Sequence, residues 1–328
     1  MLGKGFASRA MISGNHQKCC QGYTLIELMI AAALSIFVVS ILNSTLVKTA
    51  KFMEEIKAAG NLLQTGQYLF SFLGNEVSMA GFYGEFDRLA FLGSAISGSV
   101  TPVAVLPDIC QSLSGSNITQ AMPYAVSGKN NVVKGSRICG SDRVKPGTDV
   151  LLVRRVSGQK LNAKSKLKLG EFYVHSLADN FDILWGSGSI PPTEINTVSI
   201  RQWQQTIYYL SADNVFKRRR YLKGRYAPAE PLAEGVYDFQ LEYGLRQTAA
   251  LEDCILSNEL DFLAAPFSAP QWQQVVAVKV FLLLKDSWLG SEQPKTTLSY
   301  ADQQVEIAQG ETHKLLRTTI PIMNLFQR

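Results

Sequence analysis

Residues 23–47 constrain this chain more than any other feature: 25 consecutive positions carry a single charge, Glu27. As an α-helix rising 1.5 Å per residue, the run is about 37 Å long, enough to cross a hydrocarbon core of about 30 Å. Nothing breaks it, since no proline occurs before Pro102. A secretory signal is a poor fit. Its apolar region is about 7–15 residues and ends at a small-residue cleavage site, whereas here the run is longer and a helical pattern continues past it. Charge alone does not orient the segment: Lys4, Arg9 and Lys18 precede it, while Lys48, Lys51 and Lys57 follow it.

Beyond the run, Phe52, Ile56, Ala59, Leu63, Gly66, Phe70, Leu73 and Val77 recur at steps of four and three, with polar residues between them. That spacing predicts one apolar face on a helix. A single helix is therefore expected from residue 23 to about residue 79. Its first part is apolar all round, and its second part has one face that must pack on something.

After residue 80 the pattern changes to short strands and turns. Residues 125–147, rich in Gly, Ser, Asn and Lys, read as loop, and residues 148–156 as a buried strand with a basic end. Residues 186–193 form a turn cluster. Residues 205–222 read as a hairpin around Ser-Ala-Asp-Asn, and residues 235–245 and 274–286 as further strands. Residues 317–325 read as a last strand interrupted by Pro321. The expected class is α+β: a long N-terminal helix packed on a mainly antiparallel β-sheet head.

The chemistry that would mark an enzyme is missing. The three histidines, His16, His175 and His313, are far apart, and there is no GxSxG, HExxH or phosphate-binding loop. No cofactor or metal site is expected. Three of the 32 basic residues precede residue 22, leaving 29 against 27 acidic ones, so the body is nearly neutral and has no general affinity for polyanions. One basic run stands out, Lys217, Arg218, Arg219 and Arg220. Read functionally, it is a DNA-binding strip with aromatic residues nearby; read structurally, it is a solvated strand whose charge protects a sheet edge. On a strand only half of those charges share a face. Cys110 and Cys139 flank a loop-rich segment, and a bridge between them would contribute roughly 3–4 kcal/mol, leaving Cys254 single. The other two pairings stay open.

The start of the apolar run, Gly22 followed by Tyr-Thr-Leu-Ile-Glu-Leu after a basic leader, resembles the class III signal of type IV pilins and of the pseudopilins of type II secretion. The stretches at 66–76, 79–84, 147–155, 217–220 and 238–245 are similar, in that order, to the PilW type of minor pilin. The resemblance implies the type IV pilin fold and a structural role, not catalysis. It implies a leader, residues 1–22, removed by a prepilin peptidase that cuts between Gly22 and Tyr23 and methylates Tyr23. It implies a helix over 23–80, transmembrane at about 23–47, and a periplasmic or extracellular head over 81–328. The leader then faces inward and the head outward. Implied partners are the peptidase, other minor pilins, the major pilin, a tip adhesin, the inner-membrane assembly platform and membrane lipid. DNA enters only through the basic run. The implied function is priming of pilus assembly from a place at or near the tip, supporting twitching motility and adhesion. The alternatives are a type II secretion pseudopilin or a DNA-binding pilin for transformation.

Within that frame Glu27 acquires a role. A carboxylate at the centre of a membrane helix costs about 2.5–3.5 kcal/mol on insertion scales, and less near the helix end. Glu27 lies four residues, about 6 Å, from the amine that cleavage would release. The amine of one subunit and Glu27 of its neighbour can then pair in a dry bundle and set axial register.

Overall fold

The computed structural model describes residues 22–86, 106–140, 142–161, 166–176, 181–186, 199–246, 260–266, 268–285 and 294–325. His16, Cys254 and most of the 186–193 turn cluster lie outside the described residues. The chain divides into two units, Met1–Glu54 and Glu55–Arg328, and helix α1, Leu25–Ser78, begins in the first and ends in the second.

In the first unit every described helical residue is exposed, including large apolar ones such as Leu28, Phe37 and Leu46. The segment is long and apolar enough to cross a membrane. Its hydroxyls are satisfied within the helix, as hydrocarbon surroundings require. Ser35 Oγ donates to Ala31 O at 2.7 Å, Ser40 Oγ to Ile36 O at 2.8 Å and Thr45 Oγ1 to Ile41 O at 2.9 Å.

In the second unit α1 buries Ala58, Leu62, Gly66, Leu69, Leu73 and Val77. This corrects the stripe expected from the sequence. Gly66, Leu73 and Val77 lie on the buried face as expected and Phe70 packs half-buried against the same core, but Ala58 and Leu62 replace Ala59 and Leu63, Leu69 joins the face, and Ile56 is exposed. Both sets have helical spacing, because apolar residues sit side by side at 58–59, 62–63 and 69–70. At Gly66 the helix comes closest to the sheet: a Cβ there would lie 2.1 Å from Leu316 Cδ1. The last carbonyl of α1 is met from the far end of the chain, where Asn324 Nδ2 donates to Ser78 O and also to Ala80 O just beyond the helix.

A short helix α2, Gly115–Ala121, capped by Ser114, precedes the first sheet. That sheet contains β1 (Val126–Lys129), β2 (Val150–Val156), β3 (Phe172–Ser176), β4 (Phe181–Trp185), β5 (Ser199–Leu210), β6 (Val215–Leu222), β7 (Arg225–Tyr226) and β8 (Glu230–Glu234). Its organiser is β5, whose twelve residues pair with β2 along 203–209, β3 along 199–202 and β6 along 206–210. The second sheet runs β10–β9–β11–β14. Its strands are β9 (Val236–Leu245), β10 (Asp261–Leu263), β11 (Val275–Lys285, preceded by helix α3, Ala269–Gln273) and β14 (His313–Pro321). Strands β12 (Thr296–Tyr300) and β13 (Gln303–Ile307) form a separate hairpin. All pairings are antiparallel. The expected α+β architecture is present. Two readings change: β1 lies inside the stretch read as loop, and Pro321 ends β14 rather than interrupting it, because proline has no N–H to continue a ladder.

The largest core is shared by α1 and both sheets, with Leu69, Leu73, Tyr208, Phe216, Phe239 and Leu282 all fully buried. Asp149, just before β2, joins the sheets. Its carboxylate accepts from the backbone N–H of Asn131 (2.9 Å) and Leu241 (2.8 Å), while its own N–H donates to Phe239 O (3.0 Å). Burial pushes this carboxyl up to about 8, against the two N–H donors that favour its charged form. The basic end of β2 splits across the sheet. Arg154 is 1% exposed and donates to Tyr124 O and Ser127 Oγ, whereas Arg155 pairs with Glu76 on α1 at 3.0 Å.

Candidate functional site

The first turn of α1 is built by three side-chain contacts between Thr24 and Glu27. Thr24 N and Thr24 Oγ1 both donate to Glu27 Oε2 at 2.9 Å, and Glu27 N donates to Thr24 Oγ1 at 3.3 Å. This reciprocal arrangement is a capping box: it satisfies backbone donors that a helix start leaves open and places a negative charge at the positive end of the helix dipole. The Thr-x-x-Glu spacing was legible, yet sequence reasoning named only Glu27 and missed Thr24 as its anchor. The box occupies Oε2. Glu27 Oε1 has no partner among the described residues, so one carboxylate oxygen is held in place and open to a second group. Gly22 and Tyr23 precede the helix and are exposed.

In the head, the basic run lies on β6, which pairs with both β5 and β8 and is therefore an interior strand. That removes the edge-protection reading. Each of its four cations has a partner within the head. Lys217 Nζ is 3.0 Å from Asp142 Oδ2. Arg218 and Arg220, on the opposite face, share Glu230, with Nη2–O distances of 2.8 and 2.6 Å. The Arg220 hydrogen bond, with the Arg218 contacts behind it, holds the Glu230 carboxyl below the ordinary carboxylate range. Arg219 is 6% exposed and donates to three backbone carbonyls: Ala227 and Ile138 at 2.9 Å, and Tyr226 at 3.3 Å. The run is a set of internal fasteners in which four charges lock a strand to its surroundings.

Cys110 and Cys139 form a disulfide. It ties the segment before α2 to the turn after Ile138. Among the described residues no group of three His, Cys, Asp or Glu side chains is arranged to hold a metal ion. His175 lies 4.0 Å from Asp182, and His313 packs edge-on against Tyr237.

Residues 17–43 match the prokaryotic N-terminal methylation motif. Residues 207–324, from the second half of β5 through β14, match type IV pilus-assembly protein W. These are the two marks of a type IV minor pilin of PilW type. No curated protein and no solved structure matches the chain. The PilW match covers the 217–220 run and the 238–245 strand but not the stretches at 66–76, 79–84 and 147–155. The methylation motif covers the whole capping box and most of the apolar run. Signal and helix together fit a single-pass inner-membrane pilin that ends in the pilus. A pilin so marked is a structural protein, processed by a prepilin peptidase and in contact with other pilus components.

Proposed function

We propose that this chain is a minor pilin that primes type IV pilus assembly and is incorporated at or near the tip, where it supports twitching motility and adhesion. The reading is carried by one observation: a methylation motif on an exposed apolar helix joined to a head that matches pilus-assembly protein W. In this reading the peptidase cuts between Gly22 and Tyr23, residues 1–22 leave, and Tyr23 carries the methylated amine. Residues 23–47 span the membrane, the helix runs to about residue 80, and residues 81–328 form the outer head. Other minor pilins, the major pilin, a tip adhesin and the inner-membrane platform are its partners, with lipid around the helix before assembly.

Glu27 sets axial register. Its Oε2 is held by Thr24, which leaves Oε1 for the amine of a neighbouring subunit. In a dry bundle an unpaired charge is penalised and a paired one is not, so the stagger that joins them is favoured. Glu27→Ala is expected to be cleaved normally but poorly incorporated into fibres. Normal incorporation of that variant would remove the role.

The deciding experiment is deletion of the gene in a strain whose pilus retraction is disabled, followed by a count of surface pili. Loss of pili is expected. Normal pili with a changed secreted-protein profile would move the chain to type II secretion instead. DNA uptake through residues 217–220 gains no support from their internal pairing.

A further inference from the structure

The sequence draws attention to the 217–220 cations, but they are already partnered. The unpartnered ones lie elsewhere. Residues 125–147 contain five basic residues, Lys129, Lys134, Arg137, Arg143 and Lys145, against one acidic residue, Asp142. Asp142 is taken by Lys217 and Tyr209, and Lys145 by Asn214 and the Tyr237 carbonyl. Lys129, Lys134, Arg137 and Arg143 are exposed, and none has a carboxylate partner among the described residues.

Lys129 and Arg137 line a hollow, and Lys134 and Arg143 are next in the chain to its lining residues Val133 and Val144. A pocket of about 490 Å³ opens here, with Val132, Ile138, Val144 and Val150 as its aliphatic floor and Lys129 and Arg137 at its rim. Val133, also lining it, is 73% exposed. The volume is within the range of small-ligand sites. The walls are firm. Val132 N donates to Thr148 O and Gly147 N to Val132 O. Ile138 N donates to Asp142 O and Val144 N to Ser136 O. The disulfide at Cys139 fixes the turn beside Ile138.

We propose that this pocket is a docking site for a peptide segment of another protein that presents an aliphatic side chain flanked by carboxylates. The aliphatic group would leave water for the valine and isoleucine floor, and the carboxylates would meet Lys129, Lys134 and Arg137 as charge-assisted hydrogen bonds. The chemistry favours a peptide over nucleic acid, because no aromatic ring lines the pocket to stack a base. The site stands apart from the helix and does not depend on the assembly role proposed above.

The test uses the full chain in detergent micelles and a fluorescent peptide, Asp-Leu-Glu-Leu-Asp, followed by anisotropy. Saturable binding is expected, weakening with added salt and falling at least about tenfold in the variant Lys129→Gln/Lys134→Gln/Arg137→Gln. These three residues are exposed and unpaired, so the variant should melt with the parent protein. Asp-Ser-Glu-Ser-Asp and Lys-Leu-Lys-Leu-Lys are expected to bind at least about tenfold more weakly. Absence of saturable binding, or binding indifferent to the three substitutions, would overturn the proposal. So would preferential binding of a twelve-residue oligothymidylate through the same three cations, which would make the site one for nucleic acid.

Discussion

Leu62 and Leu63 are neighbours of identical chemistry on opposite sides of a decision that the sequence leaves open. Leu62 is 6% exposed and belongs to the main core; Leu63 is 42% exposed. Truncating a buried leucine to alanine removes the transfer free energy of the lost carbons and leaves a cavity, for a cost of about 2–5 kcal/mol. Leu62 lies near the start of the packed part of α1, where the helix can shift to fill space, so the lower half of that range applies, about 2–3 kcal/mol. Leu63 already meets water, and Leu63→Ala should change stability by less than about 0.5 kcal/mol. Helix propensity does not confuse the comparison, since both substitutions replace leucine by alanine. The assay is urea unfolding of the full chain in detergent, followed by tryptophan fluorescence. At a slope of about 2 kcal/mol per M, Leu62→Ala should lower the midpoint by about 1 M and Leu63→Ala should leave it in place. Equal losses, or a larger loss at Leu63, would mean that α1 packs through the other stripe.

Asp149 should make stability fall as pH rises. Its folded pKa is raised to about 8 while its unfolded value is near 4, so the contribution is complete below pH 4 and is lost towards pH 8. A melting temperature that drops between pH 6.5 and 8.5, with a shallower drop in Asp149→Asn, is the expected calorimetric result; a rise over that window would contradict it. Arg219→Gln should cost about 1–3 kcal/mol, because the buried carbonyl of Ile138 and the half-buried carbonyls of Ala227 and Tyr226 lose their donor. Lys217→Gln, at a surface pair, should cost no more than about 1 kcal/mol. If denaturant melts gave the reverse order, the run would not be the internal fastener described here. Replacing both Cys110 and Cys139 by alanine opens a bridge spanning 29 positions and should lower stability by roughly 3–4 kcal/mol in the same melts. A loss under about 1 kcal/mol would show that the ladder bonds of the loop already hold it.

Local chemistry made the N-terminal region readable. An uninterrupted apolar run and a glycine before it are neighbours in sequence, so the helix and its membrane-length segment were visible without coordinates, and Glu27 stood out as the one charge within it, although its partner Thr24 did not. The long strands β2, β5, β6, β9 and β11 were visible for a similar reason: β-branched and aromatic residues cluster between turn signals. What sequence periodicity left undecided was rotation and partnership. Adjacent apolar pairs at 58–59, 62–63 and 69–70 satisfy the helical period twice, and only packing against the sheets selects the face. Four consecutive cations at 217–220 look like a binding strip until Asp142, Glu230 and three backbone carbonyls, all outside β6, arrive to meet them. The cations at 129, 134, 137 and 143 fall within one fifteen-residue stretch, and folding places them in or next to the lining of a hollow without bringing a carboxylate to any of them among the described residues. Pattern depends on spacing along the chain and was available from the start. Charge compensation depends on distance through space, and the tertiary structure alone decided which charges were spent on the fold and which were left for a partner.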